Sequence, residues 1–174
     1  MLQHGGDDNR LQYAEATVRW WGLLEPTCLA LVPAIAQRHG GRSEALATAL
    51  SILAKAKEET GQTGASLQLY ERVGRAPWDG GAAACRRIQL GAKFEIGRLH
   101  AGRMDVDGVQ RAEQIFRREF ESMLADRSRG SSVAGDPQLL ALFANGLEAV
   151  LRSQGREAEA DTICAQLAQS ESSR

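Results

Sequence analysis

Residues 139–167 read LLALFANGLEAVLRSQGREAEADTICAQL and decide the fold. Within them, apolar residues recur at steps of three and four in two runs, as the buried faces of two amphipathic helices do. Gly155 between the runs suits a left-handed helix end, and the small Ala160 lets the two helices pack closely. Such a hairpin cannot bury both of its faces alone, so we expect similar hairpins beside it. The apolar positions are Leu140, Phe143, Leu147, Val150 and Leu151, then Ala158, Ile163, Cys164 and Leu167.

The same period continues through the rest of the chain and is interrupted by turn residues. We predict an all-α fold, an α-solenoid of eight helices in four antiparallel pairs. Pro26 is expected to end the first helix, and Pro33 to kink or split the second. The earlier helices are predicted at about 10–24, 26–38, 44–60, 63–73, 82–101 and 108–125. Residues 10–169 are assigned to one helical-repeat domain, with flexible tails at 1–9 and 170–174 and a polar loop at 127–137 that could be mobile or cleavable.

Composition and charge narrow the classes of function. The chain has 21 basic and 22 acidic residues, so we expect no general attraction to nucleic acid or anionic lipid. Cys28, Cys85 and Cys164 are far apart and form no C-x-x-C pair, which favours buried thiols over disulfides or zinc. The sequence shows no signal peptide and no apolar run long enough to span a membrane. We therefore predict a soluble cytoplasmic protein.

The pattern of helical pairs resembles the tetratricopeptide repeat, particularly the longer repeats of kinesin light chains. The last pair matches its spacing at Leu147, Leu151, Gly155, Ala160, Cys164 and Leu167. The second pair matches at Ile52, Leu53, Ala56, Ala65, Leu69 and Pro77, and the third keeps Ala112 and Phe116. The resemblance covers residues 43–167 with irregular spacing. It implies a right-handed superhelix whose concave groove binds a peptide or protein segment.

Motifs for catalysis and for metal or phosphate binding are missing from the sequence. The three histidines stand alone, and there is no phosphate-binding loop or nucleophile elbow. Glu113 and Glu119 follow helical spacing from basic residues, which is typical of ion pairs on a solvated face. The run Asp105-Val106-Asp107-Gly108 lacks the other ligands of a calcium loop and is interpreted as a capped turn. We predict no metal site, no cofactor and no catalytic residue.

Basic side chains give the best candidates for a binding groove. Arg86, Lys93 and His100 follow one another at steps of seven along one predicted helix, where they could take a carboxylate or phosphate. A solvated helix face is the alternative for these residues. Lys57, Asn145 and Arg152 complete the predicted inner-face positions.

Two adjacent tryptophans, Trp20 and Trp21, point about 100° apart on a helix. We expect one to pack in the core and the other to lie near the surface, where it could contact a partner or a second copy. Burial of both, in the core or against a neighbouring helix, is the alternative.

The leading hypothesis is a non-catalytic module that binds a protein or peptide in its groove. The alternative is a regulatory domain that encloses a small ligand, which would need an apolar, closed pocket. An enzyme on an all-α scaffold would need a cluster of perturbed titratable groups, and the near-neutral charge disfavours nucleic acid. A homo-oligomer stays open.

Overall fold

A computed structural model describes residues 5–79, 81–129 and 136–172, with the side chains of 5–16, 82 and 171 left out. These residues form seven α-helices and no strand. The helices are α1 (Gly5–His39), α2 (Glu44–Glu59), α3 (Thr63–Arg75), α4 (Ala82–Ala101), α5 (Val106–Ser128), α6 (Pro137–Ser153) and α7 (Glu157–Ser172). Two compact units divide between Trp78 and Asp79. In each unit the helices pack on their sequence neighbours, as in an all-α solenoid.

The first helix differs from the prediction, because α1 runs through both prolines instead of forming two helices. A proline inside a helix frees the carbonyl four residues earlier, here those of Gly22 and Leu29. Both prolines and both of these residues are exposed, so water can satisfy the freed carbonyls. The prediction of eight helices was therefore wrong by one.

The ends of the helices also differ from the predicted tails and loop. Helix α1 begins within the predicted tail 1–9, and α7 continues into the predicted tail 170–174. Residues 1–4 and 173–174 lie outside the described residues, as do residues 130–135 of the predicted loop. The assignment of residues 10–169 to one domain stays a prediction.

In the first unit, α2 packs against both α1 and α3. The helix begins where predicted, because the Ser43 hydroxyl accepts a hydrogen bond from the Leu46 N–H at 3.2 Å. Trp78 is the last residue of the unit. Its indole is buried, and the indole N–H donates to the Val73 carbonyl at 2.8 Å. The buried apolar residues of α2 are Leu46, Ala47, Leu50, Leu53, Ala54 and Ala56.

In the second unit, α5 and α6 pack on each other, and α4 contacts both of them. Three aromatic rings lie at the centre of this core. The centroid of Phe94 is 5.6 Å from that of Phe116 and 5.8 Å from that of Phe143. The rings meet at tilted or edge-on angles, which aromatic pairs prefer to face-to-face stacking.

The hairpin of α6 and α7 forms where residues 139–167 predict it, but Ala158 and Cys164 of the predicted α7 stripe are exposed. Gly155 has φ +72°, the left-handed conformation expected at the helix end. Ala160 is fully buried, as expected for the small residue at the helix crossing. The five apolar residues predicted for the stripe of α6 are all buried.

Candidate functional site

Lys57 lies at the end of α2, in a polar cluster with α1. Its ammonium group is 2.5 Å from Glu25 Oε1 and 2.8 Å from Gln62 Oε1. The other Glu25 oxygen accepts hydrogen bonds from Thr60 at 3.1 Å and from Gln62 at 3.0 Å. The hydrogen bond from Lys57 lowers the pKa of Glu25, and the amide and hydroxyl donors lower it further. This cluster fastens α1 to the end of α2, so Lys57 already has a charged partner.

Arg86 and Lys93 lie together on α4, as their spacing predicts, but they face a buried acid on α5. Lys93 Nζ is 2.7 Å from Glu119 Oε1, and Arg86 Nη2 is 3.9 Å from Glu119 Oε2. Glu119 is only 5% exposed, so its predicted place on a solvated face was wrong. Glu119 occupies a position in the apolar stripe of α5, where burial requires that a charge be paired. The two cations therefore compensate the negative charge of the buried Glu119 carboxylate.

His100 is buried at the end of α4 and does not line an open groove. Its side chain is 5% exposed. Gly108 of α5 comes so close that a Cβ added there would lie 2.5 Å from the His100 carbonyl oxygen. This tight approach follows a capped turn, in which the Asp105 side chain accepts a hydrogen bond from the Gly108 N–H, as the sequence predicts. That bond lowers the pKa of Asp105.

Asn145 and Arg152 lie on an exposed surface of α6. We name this surface the α6 face and define it as Gln138, Leu142, Asn145, Ala149 and Arg152, all of which are exposed. The five positions follow steps of three and four, so they form one stripe opposite the buried stripe. Leu142 keeps 42% of its surface exposed. The face therefore offers an apolar side chain, a carboxamide and a charged end.

The charged end of the α6 face has more acid than base. Arg152 contacts Glu148 at 2.9 Å, Glu157 at 2.5 Å and Asp161 at 3.0 Å. Three carboxylates thus surround one guanidinium group, and Glu157 and Asp161 keep more than half of their side chains exposed. The hydrogen bond from Arg152 lowers the pKa of Glu148, so this acid stays ionised near neutral pH.

A second ion network joins α5 to the turn before α7, and the sequence predicted only its Glu113–Arg117 pair. Arg156 contacts Glu113 at 2.7 Å and holds Glu159 through two of its nitrogens, at 2.6 Å and 2.7 Å. Arg117 contacts Glu113 at 2.9 Å, confirming the predicted helical pair. Burial raises the pKa of Glu113, but the hydrogen bonds from Arg117, Gln154 and Arg156 outweigh it and lower the pKa overall.

Two adjoining clefts that are open to solvent lie between α5 and α7. The larger has a volume of about 540 Å³ and the smaller about 270 Å³. Leu124 and Gln166 line both clefts, and Arg127 lines the larger one. Arg127 donates to the Ser170 carbonyl at 2.7 Å. A cation at this position compensates the partial negative charge of two helix C-termini, which gives Arg127 a structural role.

The adjacent tryptophans of α1 differ in exposure, but neither is fully buried in the core. Trp20 is 62% exposed, whereas Trp21 is half-buried. An indole with the exposure of Trp20 is a large apolar surface available to another molecule.

The described residues contain no cluster of three or more histidine, cysteine or acidic side chains that could hold a metal ion. Cys28 and Cys85 are buried and Cys164 is exposed, so the prediction of three buried thiols was right for two of them. Burial raises the pKa of the Cys28 thiol. Partial desolvation of the sulfur, together with the neighbouring Glu148 carboxylate, raises the pKa of Cys164 although the residue as a whole is exposed. None of the helices in the described ranges is both long and apolar enough to cross a membrane.

Comparison with protein-family models finds no matching family, and comparisons with curated proteins and with solved structures find no match either. The function of the chain must therefore be inferred from the geometry of its own surfaces.

Proposed function

We propose that the chain is a non-catalytic interaction module, similar to a short tetratricopeptide array, that binds a protein segment on the α6 face. The exposure of Leu142 beside Asn145 carries this proposal. An exposed apolar side chain next to a carboxamide suits a polypeptide, because the apolar group gains by burial and the amide can bond to the partner's backbone.

The pairing of the other predicted contact residues supports the same choice of surface. Lys57, Arg86 and Lys93 each lie beside a carboxylate of their own unit. A ligand that took over one of these cations would leave a poorly hydrated acid behind, at a substantial cost in free energy. Asn145 and Leu142 can be covered without breaking such a pair.

The charge at the end of the α6 face favours a basic partner. Glu148, Glu157 and Asp161 together outnumber Arg152 three to one. A lysine or arginine of the partner would be attracted to the two exposed acids, and this attraction would weaken with added salt. We therefore propose a segment with an apolar residue over Leu142 and a basic residue near Glu157.

A small-ligand sensor is the second candidate, and the larger cleft between α5 and α7 is its best site. A volume of about 540 Å³ is in the range of small-molecule sites. The cleft is open to solvent, however, and five of its six lining residues are polar, so it lacks the enclosed apolar lining that such a sensor is expected to have.

Affinity capture from a lysate of the producing cells, followed by mass spectrometry, tests the proposed function. The wild-type chain and a Leu142→Arg variant are compared. The substitution removes the apolar contact and adds a cation that should repel a basic segment, so binding of the captured protein should fall at least tenfold. Glu157→Gln combined with Asp161→Asn should weaken the binding less and reduce its dependence on salt.

The matched control is Gln114→Arg, which adds the same charge at an exposed position of α5. Circular dichroism establishes that each variant is folded. A protein that binds the wild-type chain and the Leu142→Arg variant equally well would contradict the assignment to the α6 face.

A further inference from the structure

Helix α1 carries an uncharged, exposed stripe that lies away from α2. The stripe consists of Trp20, Leu23, Thr27, Leu31 and Ala34, all of which are exposed. Leu23 is 68% and Leu31 49% exposed. The residues are spaced at three or four, so they lie on one side of the helix over about 21 Å. We name this set the α1 stripe.

The α1 stripe is distinct from the surface that α2 covers. Glu25 and Cys28 mark the side that α2 covers. Glu25 accepts hydrogen bonds from Lys57 of α2 and from Thr60, the C-cap of α2, and Cys28 is buried. At 100° per residue, that side is turned by roughly 130° from the α1 stripe. Helix α1 therefore has two apolar sides, and α2 can pack against only one of them. A helix that is apolar on two sides usually has neighbours on both.

We propose that a second copy of this chain packs on the α1 stripe, with the two α1 helices antiparallel and Thr27 at the twofold axis. In that arrangement Leu23 lies opposite Leu31 of the second copy, and the large Trp20 lies opposite the small Ala34. A twofold interface requires one surface to be complementary to itself, and this stripe meets the requirement when it is reversed about Thr27.

The chemistry of the stripe favours a second copy because nothing in it repels itself. A stripe with a net charge would place like charges opposite each other in a symmetric pair, whereas all five of these side chains are uncharged. The Thr27 hydroxyl donates to the Leu23 carbonyl at 3.4 Å and so is not left without a partner at the axis. The exchange of large for small side chains at each end allows close packing of the helices.

The size of the stripe sets the strength expected of the dimer. A pair of helices in contact over about 21 Å buries less surface than the roughly 1,200–2,000 Å² of a stable interface. We therefore expect a dimer with a dissociation constant in the micromolar range.

Sedimentation equilibrium over a range of concentrations measures the dimer directly. The wild-type chain should associate, and Leu23→Glu should weaken the association by at least tenfold, because it buries an acid against Leu31 of the second copy. Adding Leu31→Lys to the same chain should restore association, since each acid then faces a lysine of the other copy. Positions 23 and 31 are about 12 Å apart along one helix, too far for the two new charges to pair within a copy.

Leu29→Glu is the matched control, because Leu29 is 48% exposed on the opposite side of α1. It should leave the association unchanged. A wild-type chain that is monomeric at every concentration would overturn the proposal, as would a double variant that stays as weak as Leu23→Glu. Binding at the α6 face does not depend on this result, since the variants leave Leu142 and Asn145 unchanged.

Discussion

Gly97 of α4 lies directly against the ring of Phe116 in α5: a Cβ added at Gly97 would be 2.5 Å from Cε1 of that ring. The same ring also approaches Gly146 of α6, where an added Cβ would be 3.1 Å from Cε2. Phe116 thus lies between two helix backbones, and it can do so only because neither helix has a side chain there. The two glycines set the distances among α4, α5 and α6.

Replacing Gly97 by alanine should destabilise the second unit by about 1–2 kcal/mol. Overpacking a core costs roughly 1–3 kcal/mol, and the better helix propensity of alanine offsets up to about 1 kcal/mol of this. Urea unfolding followed by circular dichroism at 222 nm is the suitable measurement. Tryptophan fluorescence would not report on this unit, because Trp20, Trp21 and Trp78 all belong to the first unit.

Gly91 provides the control for this prediction within the same helix. A Cβ added at Gly91 would meet no neighbouring group within 4 Å, so Gly91→Ala should stabilise the chain by up to about 1 kcal/mol. If both substitutions changed the unfolding free energy in the same direction, the close contact between Gly97 and Phe116 would not be the cause.

Lys93→Met should destabilise the second unit by about 2–3 kcal/mol. It would leave the buried Glu119 with Arg86 alone, at 3.9 Å instead of the 2.7 Å of Lys93. Breaking a buried pair costs roughly 3–5 kcal/mol, and the partial exposure of Lys93 reduces that figure. Glu119→Leu combined with Lys93→Met should recover most of the loss in urea unfolding. A double variant as unstable as the single one would show that packing of the Lys93 side chain, not charge, is responsible.

Much of the second unit could be predicted from sequence, because local signals and tertiary packing agree there. The bounds of α4 match the prediction, and Gly155 ends α6 in the left-handed conformation. Of the glycines in α4, Gly97 lies at a close helix contact and Gly91 does not. Periodicity gives the side of a helix on which a glycine lies, but it does not give the position of the neighbouring ring.

The spacing of residues in the sequence could not predict which charged side chain of the candidate site is buried. Glu119 follows Lys93 by 26 positions, so no helical repeat relates the two residues. Its place in the apolar stripe of α5 was a usable signal, since an acid at a core position needs a cation from another helix.

For Pro26, the local preference to end a helix was overridden, because the proline lies on the exposed side of α1.

Met104→Gly should stabilise the chain by about 0.5–1 kcal/mol. Met104 has φ +54° in the turn between α4 and α5, and its side chain is 88% exposed. The left-handed conformation costs a residue with a Cβ roughly 1–2 kcal/mol, and glycine avoids this cost while it adds flexibility to the unfolded chain. Thermal unfolding of Met104→Gly beside Met104→Ala provides the measurement. An equal effect of the two variants would mean that the backbone conformation is not the source.

Ser66→Ala should stabilise the first unit by about 0.5–1 kcal/mol. The Ser66 hydroxyl is fully buried in α3, and it has no hydrogen-bond partner within the described parts of the chain. Alanine removes the buried polar group and leaves only a small void. Tryptophan fluorescence during urea unfolding follows this unit. A loss of stability would indicate that a water molecule bonds to the hydroxyl.

Glu113→Gln should reduce the loss of stability in acid. The pKa of Glu113 is lower in the folded chain than its ordinary value of about 4.3, so the folded state binds its proton less readily than the unfolded state does. Its contribution is fully present above that ordinary value and is lost as the pH falls through the folded pKa. The difference in unfolding free energy between about pH 6 and pH 3 should therefore be smaller in Glu113→Gln than in the wild-type chain. Glu121→Gln, at an exposed position of the same helix, serves as the matched control for the loss of one carboxylate. Equal slopes in all three chains would show that the hydrogen bonds to Glu113 do not stabilise its ionised form.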